Sequence, residues 1–278
     1  MHVKFVCTYW GQEETSASHF FRKVLEEGYD GVEINLPDST GFVKEFQVEL
    51  ERVRETKKNF VFIAQQVLSP QQETADEYIA RMQHRLNELA ALRPDFINSH
   101  TGKDYFSFDD NCWAIEAAEN IALRSGIRIL HETHRGRFTF HAASLLPYLD
   151  RFPHLQLTAD FSHWCTVSES LLSDQQETLA KIIPYAYHLH ARIGFAHAPQ
   201  VNDPFGLEWK PTVDTFIGWW RKIIAVRAKT DAVFTVCPEF GPVPYMPTMP
   251  VTQQPLSDQW RTNARMKNLL RAQFGLLN

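Results

Sequence analysis

Short β-branched or aromatic runs alternate with longer segments whose apolar residues recur at helical spacing, and this alternation constrains the fold more than any other feature. Eight such units can be counted, with expected strands at 3–8, 31–35, 59–65, 95–100, 127–132, 156–160, 186–191 and 232–239. Eight helical patterns lie between them. The clearest run from Ala75 to Leu92, where Tyr78, Met82, Leu86 and Leu89 share a face, and from Asn111 to Ser125, where Ile115, Ala118 and Ala122 do. Gly28 in EEGYDGVEI and Gly126 in LRSGIRIL fall between a helix and the next strand, where a left-handed cap is needed. Strands and helices in equal number, with no strand-only stretch, predict a closed parallel (β/α)8 TIM barrel rather than an open doubly wound sheet. The 278 residues suit one barrel, and no linker or low-complexity tract interrupts the alternation, so a single domain over 1–278 is expected.

Composition narrows the function classes. A formal charge of -5 and scattered basic residues offer no general attraction to phosphate backbones or anionic lipid, so neither nucleic acid nor membrane is expected as a partner. No apolar run is long enough for a signal or membrane segment, which makes a cytoplasmic location the expectation. Cys7, Cys112, Cys165 and Cys237 lie far apart with no CxxC pairing, against both a zinc-thiolate site and a disulfide framework. They read as reduced, buried thiols.

The chemistry is concentrated at the ends of the last four strands, where a barrel presents side chains to its catalytic face. Strand five ends in HETHRGR with Glu132, strand six in ADFSHW with Asp160, and strand eight in CPEFGP with Glu239, while strand seven carries HLH. Glu132 alone could be a structural carboxylate paired with Arg135 or Arg137. Four successive strand ends, each supplying a carboxylate or an imidazole, instead describe a site for one divalent ion: manganese, magnesium, cobalt, iron or zinc. A cation also explains how three carboxylates can converge. Strand alternation puts His188 and His190 on one face, and His190, nearer the carboxyl end, is the better ligand.

In this order HETH, ADFSHW, HLHAR and PEFGP resemble the metal-binding strand ends of the xylose isomerase-like barrel superfamily, and the resemblance covers nearly the whole chain. That superfamily holds sugar phosphate isomerases and epimerases together with the class II apurinic endonucleases. The resemblance implies that Glu132, Asp160, His190 and Glu239 hold the metal. It also implies that Glu132 and Glu239 act as paired acid and base on either face of the substrate, as in the related keto-sugar 3-epimerases, and that His163 contacts substrate. Those epimerases carry a Glu six residues after the first ligand and an Arg six residues after the histidine ligand, where this chain has Phe138 and Ala196. This departure puts keto-sugar 3-epimerase activity itself in doubt.

Further polar groups stand at strand ends: Glu33 and Asn35, Gln65 and Gln66, and His100 with Lys103. His100, Lys103, Arg192 and His197 are candidates for binding substrate, Lys103 through a phosphate or carboxylate. Tyr9, Trp10 and Trp164 could wall a sugar site or roof the barrel, and Trp219 and Trp220 could face a second copy in a homo-oligomer or pack in the core. The expected function is a metal-dependent isomerase or epimerase of a small polyol, keto-sugar or sugar phosphate, working through an enediolate stabilised by the metal. The alternative is a metal-dependent dehydratase of a cyclic polyol or shikimate-like acid. An apurinic endonuclease and a non-catalytic sugar-binding barrel rank below both, the first because of the acidic balance and the second because the ligand set is intact.

Overall fold

A computed structural model describes residues 1–274 of the chain. Eight parallel strands close into a barrel in sequence order: β1 His2–Thr8, β2 Gly31–Ile34, β3 Val61–Gln66, β4 Phe96–Ser99, β5 Ile129–Glu132, β6 Leu157–Ala159, β7 Ala186–His190 and β8 Val233–Cys237. Closure is made by β8 against β1, with His2 opposite Val233 and Phe5 opposite Val236. The expected TIM barrel is therefore observed, and each strand overlaps its expected position.

The helices are α1 Ala17–Glu26, α2 Thr40–Thr56, α3 Ala75–Ala91, α4 Phe108–Ser125, α5 Ala142–Arg151, α6 Phe161–Val167, α7 Gln176–Ile182, α8 Lys210–Arg227 and α9 Gln259–Phe274. Their ends follow from local chemistry. The side chain of Thr74 accepts from the Glu77 N–H while Glu77 reaches back to the Thr74 N–H, a reciprocal cap that starts α3; Ser107 and Asp110 do the same for α4. Gly28 and Gly126 both have the left-handed backbone expected after α1 and α4, at φ 74° and 73°.

Nine α-helices stand among the described residues, where eight patterns were expected. The extra one follows β6, because Glu169 and Leu172 take left-handed backbone that no helix can contain, and this separates α6 from α7. The short α6 begins directly at the strand end, and this brings its His163 close to polar side chains that follow the strands.

Two hydrophobic bodies hold the molecule. Val6, Val61, Ile63, Phe96, Leu130 and Cys237 form a small cluster of their own, contributed by five strands. The larger core lies between strands and helices and takes in Trp164, Trp219 and Trp220. Trp219 and Trp220 thus pack inside the protomer rather than on an outer face. Trp164 stacks on Phe161 at 4.7 Å and donates its indole N–H to the Thr139 carbonyl at 2.7 Å, so it neither walls nor roofs the mouth.

Two long loops follow β7 and β8, and in the first a 3-10 turn at Leu207–Trp209 leads straight into α8. They are clasped together by Gln200, whose side chain accepts from the Gly241 N–H at 2.7 Å and donates to the Gly241 carbonyl at 3.2 Å. Gly241 is required there: a Cβ would sit 2.1 Å from the Trp10 ring, which lies against its backbone.

Candidate metal centre and substrate cavity

Glu132 ends β5, Asp160 follows β6, His190 ends β7 and Glu239 lies two residues past β8. One ligand atom from each falls within 4.8 Å of the others, and all four side chains are buried. The four residues expected as ligands are brought together as one group.

The imidazole shows how the group is arranged. His190 Nε2–H donates to Glu33 Oε1 at 2.9 Å. Nδ1 is therefore left facing the carboxylates, 2.9 Å from Glu239 Oε2 and 3.6 Å from Glu132 Oε1, buried and without a hydrogen bond. A buried nitrogen aimed between carboxylates and bonded to none of them is what a cation at the centre would use. The donor set, one imidazole and three carboxylates, suits a hard or borderline divalent ion. The buried group can therefore hold a metal.

Beneath the ligands lies a supporting tier. Glu33 accepts from His190 and, through Oε2, from His188 Nε2 at 2.9 Å. The Asn98 amide donates to both Glu33 Oε1 at 2.9 Å and Glu132 Oε2 at 2.8 Å. Glu33 is thus spent on orienting histidines and does not reach substrate space, whereas Asn35, two residues on, lines the cavity. Period-two alternation similarly divides Gln65, which reaches Glu239 Oε1 at 3.3 Å, from Gln66, which accepts from Ser99.

Arg192, two residues beyond His190, reaches the cavity with its charge already engaged. Its guanidinium is paired to Asp160, lies 3.6 Å from Glu239 Oε2 and donates to His163 Nε2 at 2.7 Å. It borders the cavity, but its charge is already matched by two of the ligand carboxylates. Asp160 is fixed from the other side, because its Oδ1 caps α6 by accepting from the Ser162 N–H at 3.0 Å.

Electrostatics record how crowded the centre is. Burial pushes Asp160 up to about 6 against the pull of Arg192, with Glu239 and Glu132 adding to the rise. Burial also works against a charged His190, yet the carboxylates of Glu239, Glu33 and Glu132 outweigh it and hold the imidazole well above its ordinary range. For Glu132 burial acts upward, but His100 and His190 bring its carboxyl well below the usual range. Three buried carboxylates recruit whatever positive charge is at hand.

Above the centre opens a cavity of about 560 Å³, in the range of small-molecule sites. Its wall includes Glu132, Glu239, His100 and Arg192 from the expected set, with Tyr9 and Trp10. His100 Nε2–H donates to Glu132 Oε2 at 3.0 Å. His163 is fully buried behind the wall, its ring 3.8 Å from that of His134, which does line the cavity. Lys103 is not brought to the cavity. Asn111 clasps its backbone N–H at 3.1 Å and its carbonyl at 2.9 Å, and its ammonium lies 5.1 Å from the centre of the Tyr78 ring. His197 is exposed in the Phe195–Ala198 turn and packs on Phe195. Loops carry no period that would have aimed either side chain.

Sequence reasoning missed Asn98 and Tyr245, and it read Arg137 only as an ion-pair partner for Glu132. Asn98 had a signal, since on β4 it shares the parity of His100, one residue past the strand. Tyr245 had none: it lies in the irregular loop after β8, where it meets Trp10 edge to face at 4.8 Å and the Arg192 guanidinium at 5.0 Å.

The model of the xylose isomerase-like TIM barrel family matches residues 21–206. No curated protein sequence matches the chain. Among solved structures, the probable 3-DHS dehydratase AsbF of Bacillus anthracis superposes with a TM-score of 0.63 at 19% identity, covering 97% of this chain and 99% of that one. A xylose isomerase-like TIM barrel protein of Mycobacterium smegmatis in complex with magnesium gives 0.61 at 13% identity, with 97% of each chain covered. The IolI protein with a bound zinc atom gives 0.61 at 12% identity, covering 98% of this chain and 99% of that one. At these identities the likeness is one of fold.

Proposed function

Because this chain belongs to the xylose isomerase-like TIM barrel family, we propose that it is a metal-dependent enzyme that moves a proton on a small polyhydroxylated substrate, first of all as an isomerase or epimerase. Glu132, Asp160, His190 and Glu239 hold one divalent ion. The observation that carries this reading is the buried His190 Nδ1, unbonded among three carboxylates. Magnesium and zinc, present in two structures of the same fold, both suit this donor set, as do manganese, cobalt and iron. When bound, the ion polarises a substrate carbonyl and acidifies the adjoining C–H.

The chain's own groups divide the remaining work. Glu132 Oε2 takes hydrogen bonds from both Asn98 and His100, which favour its ionised form and make it a poor proton acceptor. Glu239 takes a single side-chain hydrogen bond, from Gln65, with the Arg192 guanidinium 3.6 Å away, and borders the cavity, so of the two it is the carboxylate assigned to receive the proton. Trp10 and Tyr245, packed edge to face, give the cavity wall an aromatic stretch against which a substrate frame can rest. With its acidic balance the enzyme takes a small polar molecule rather than nucleic acid.

A dehydratase is the second reading, favoured by one observation. Six residues after Glu132, where the 3-epimerases have a second Glu, Phe138 is buried against His131 and Tyr148, and no additional carboxylate enters the site from that position. Proton abstraction beside a carbonyl is shared by both reactions, and loss of a β-hydroxyl separates them.

Elemental analysis of the purified protein tests the centre. About one equivalent of divalent metal is expected after loading and dialysis, lost in a Glu132→Ala/Asp160→Ala variant. A parent protein that takes up no metal would remove the basis of the proposed chemistry.

A further inference from the structure

The cavity wall contains two guanidinium groups of very different status. Arg192 is paired with Asp160 and Glu239, as described above. Arg137, in HETHRGR after β5, forms no ion pair among the described residues. Of its five donors, Nη1 reaches the Gly136 carbonyl at 3.0 Å and Nη2 reaches His100 Nδ1 at 3.4 Å, both neutral acceptors. Its Nε is buried without any partner. A half-buried guanidinium that borders a cavity, lacks an acid and keeps an orphaned donor is an open site for an oxyanion.

Its position adds to this. Arg137 touches Nδ1 of the same imidazole whose Nε2–H donates to Glu132, so the guanidinium and the metal centre stand on opposite nitrogens of one ring. A molecule of a few carbons can therefore meet both. The planar fork of one arginine matches a carboxylate, whereas no lysine borders the cavity and Glu13 stands in its wall, which disfavours a phosphate dianion.

We propose that Arg137 anchors a carboxylate group of the substrate, so that the site takes a polyhydroxy carboxylic acid rather than a neutral sugar or a sugar phosphate. This rests on the metal-dependent reading above and assigns its substrate class. The free end of the substrate is held by Arg137 while its hydroxyl or carbonyl oxygens face Glu132 and Glu239.

Isothermal titration of the metal-loaded protein with D-gluconate, D-glucitol and D-glucitol 6-phosphate separates the possibilities, since the three share a six-carbon polyol frame. Gluconate is expected to bind about tenfold more tightly than either of the others. In Arg137→Gln that preference disappears while glucitol affinity and metal content stay unchanged, and in Arg137→Lys it is partly retained. If Arg137→Gln does not fold, as judged by its melting curve, the lysine variant alone decides, with full retention of the preference counting against the anchor. Equal binding of gluconate and glucitol, or a gluconate preference that survives in Arg137→Gln, overturns the anchor and leaves the metal-polyol reading standing. Tighter binding of glucitol 6-phosphate overturns the choice of carboxylate. No binding of any of the three to the loaded protein overturns both readings.

Discussion

Glu33 lies at the bottom of the site with no exposure to solvent, yet it orients His190, the imidazole of the proposed metal centre. By accepting from His190 Nε2–H it directs Nδ1 at the carboxylates and raises the basicity of that nitrogen. Replacement by glutamine keeps the shape and removes the charge. Metal affinity of Glu33→Gln, measured by competition with a chelator, is expected to fall by about 10- to 100-fold with circular dichroism unchanged. Parental affinity would show that His190 needs no such support. At this scale the candidate group was legible: strand parity and nearness to the strand end favoured His190 over His188, and the structure gathers His190 with Glu132, Asp160 and Glu239 while His188 bonds Glu33. The partner of each ligand was not legible. Glu33 and Asn98 are 65 positions apart, and their hydrogen bond exists only because the strands between them curve into a barrel.

Among the elements, α6 shows a strand end and a helix start sharing one residue. Asp160 leaves β6, caps α6 with one carboxylate oxygen and turns the other toward Arg192. The cap holds the ligand's orientation, and the ligand's position fixes where the helix begins. The expected pattern of eight helices missed this short one, since seven residues are too few for a hydrophobic period to register. Longer helices were legible from face and cap together, as α3 illustrates. Its exposed N-cap predicts a purely local effect: Thr74→Ala should cost about 1 kcal/mol in urea unfolding. Metal content should not change, because neither Thr74 nor Glu77 borders the cavity or bonds to the four-residue group. A loss of metal in that variant would mean that α3 positions the site.

For the whole molecule, closure of the barrel buries all four cysteines. Burial pushes each thiol upward, Cys165 to about 12, so the reactive thiolate is scarce at neutral pH. An aromatic disulfide reagent should titrate four thiols in denaturant and react only slowly with the native protein. Rapid labelling of the native protein would show that the barrel or its helical layer opens readily. No helix among the described residues is long and apolar enough to cross a membrane, in line with the absence of a long apolar run.

The sequence by itself determined the eightfold alternation, the direction in which strand residues face and the chemical types placed at the strand ends. These are local properties, set by a period of two in strands and 3.6 in helices. Tertiary structure alone decided which of those groups meet. It matched Arg192 to the ligand carboxylates and left Arg137 without an acid, placed His163 behind the cavity wall, and kept Lys103 and His197 away from it. Periodicity gives a side chain its face, but its depth and its neighbours across the barrel come from strand stagger, closure and loop paths, for which no local pattern exists.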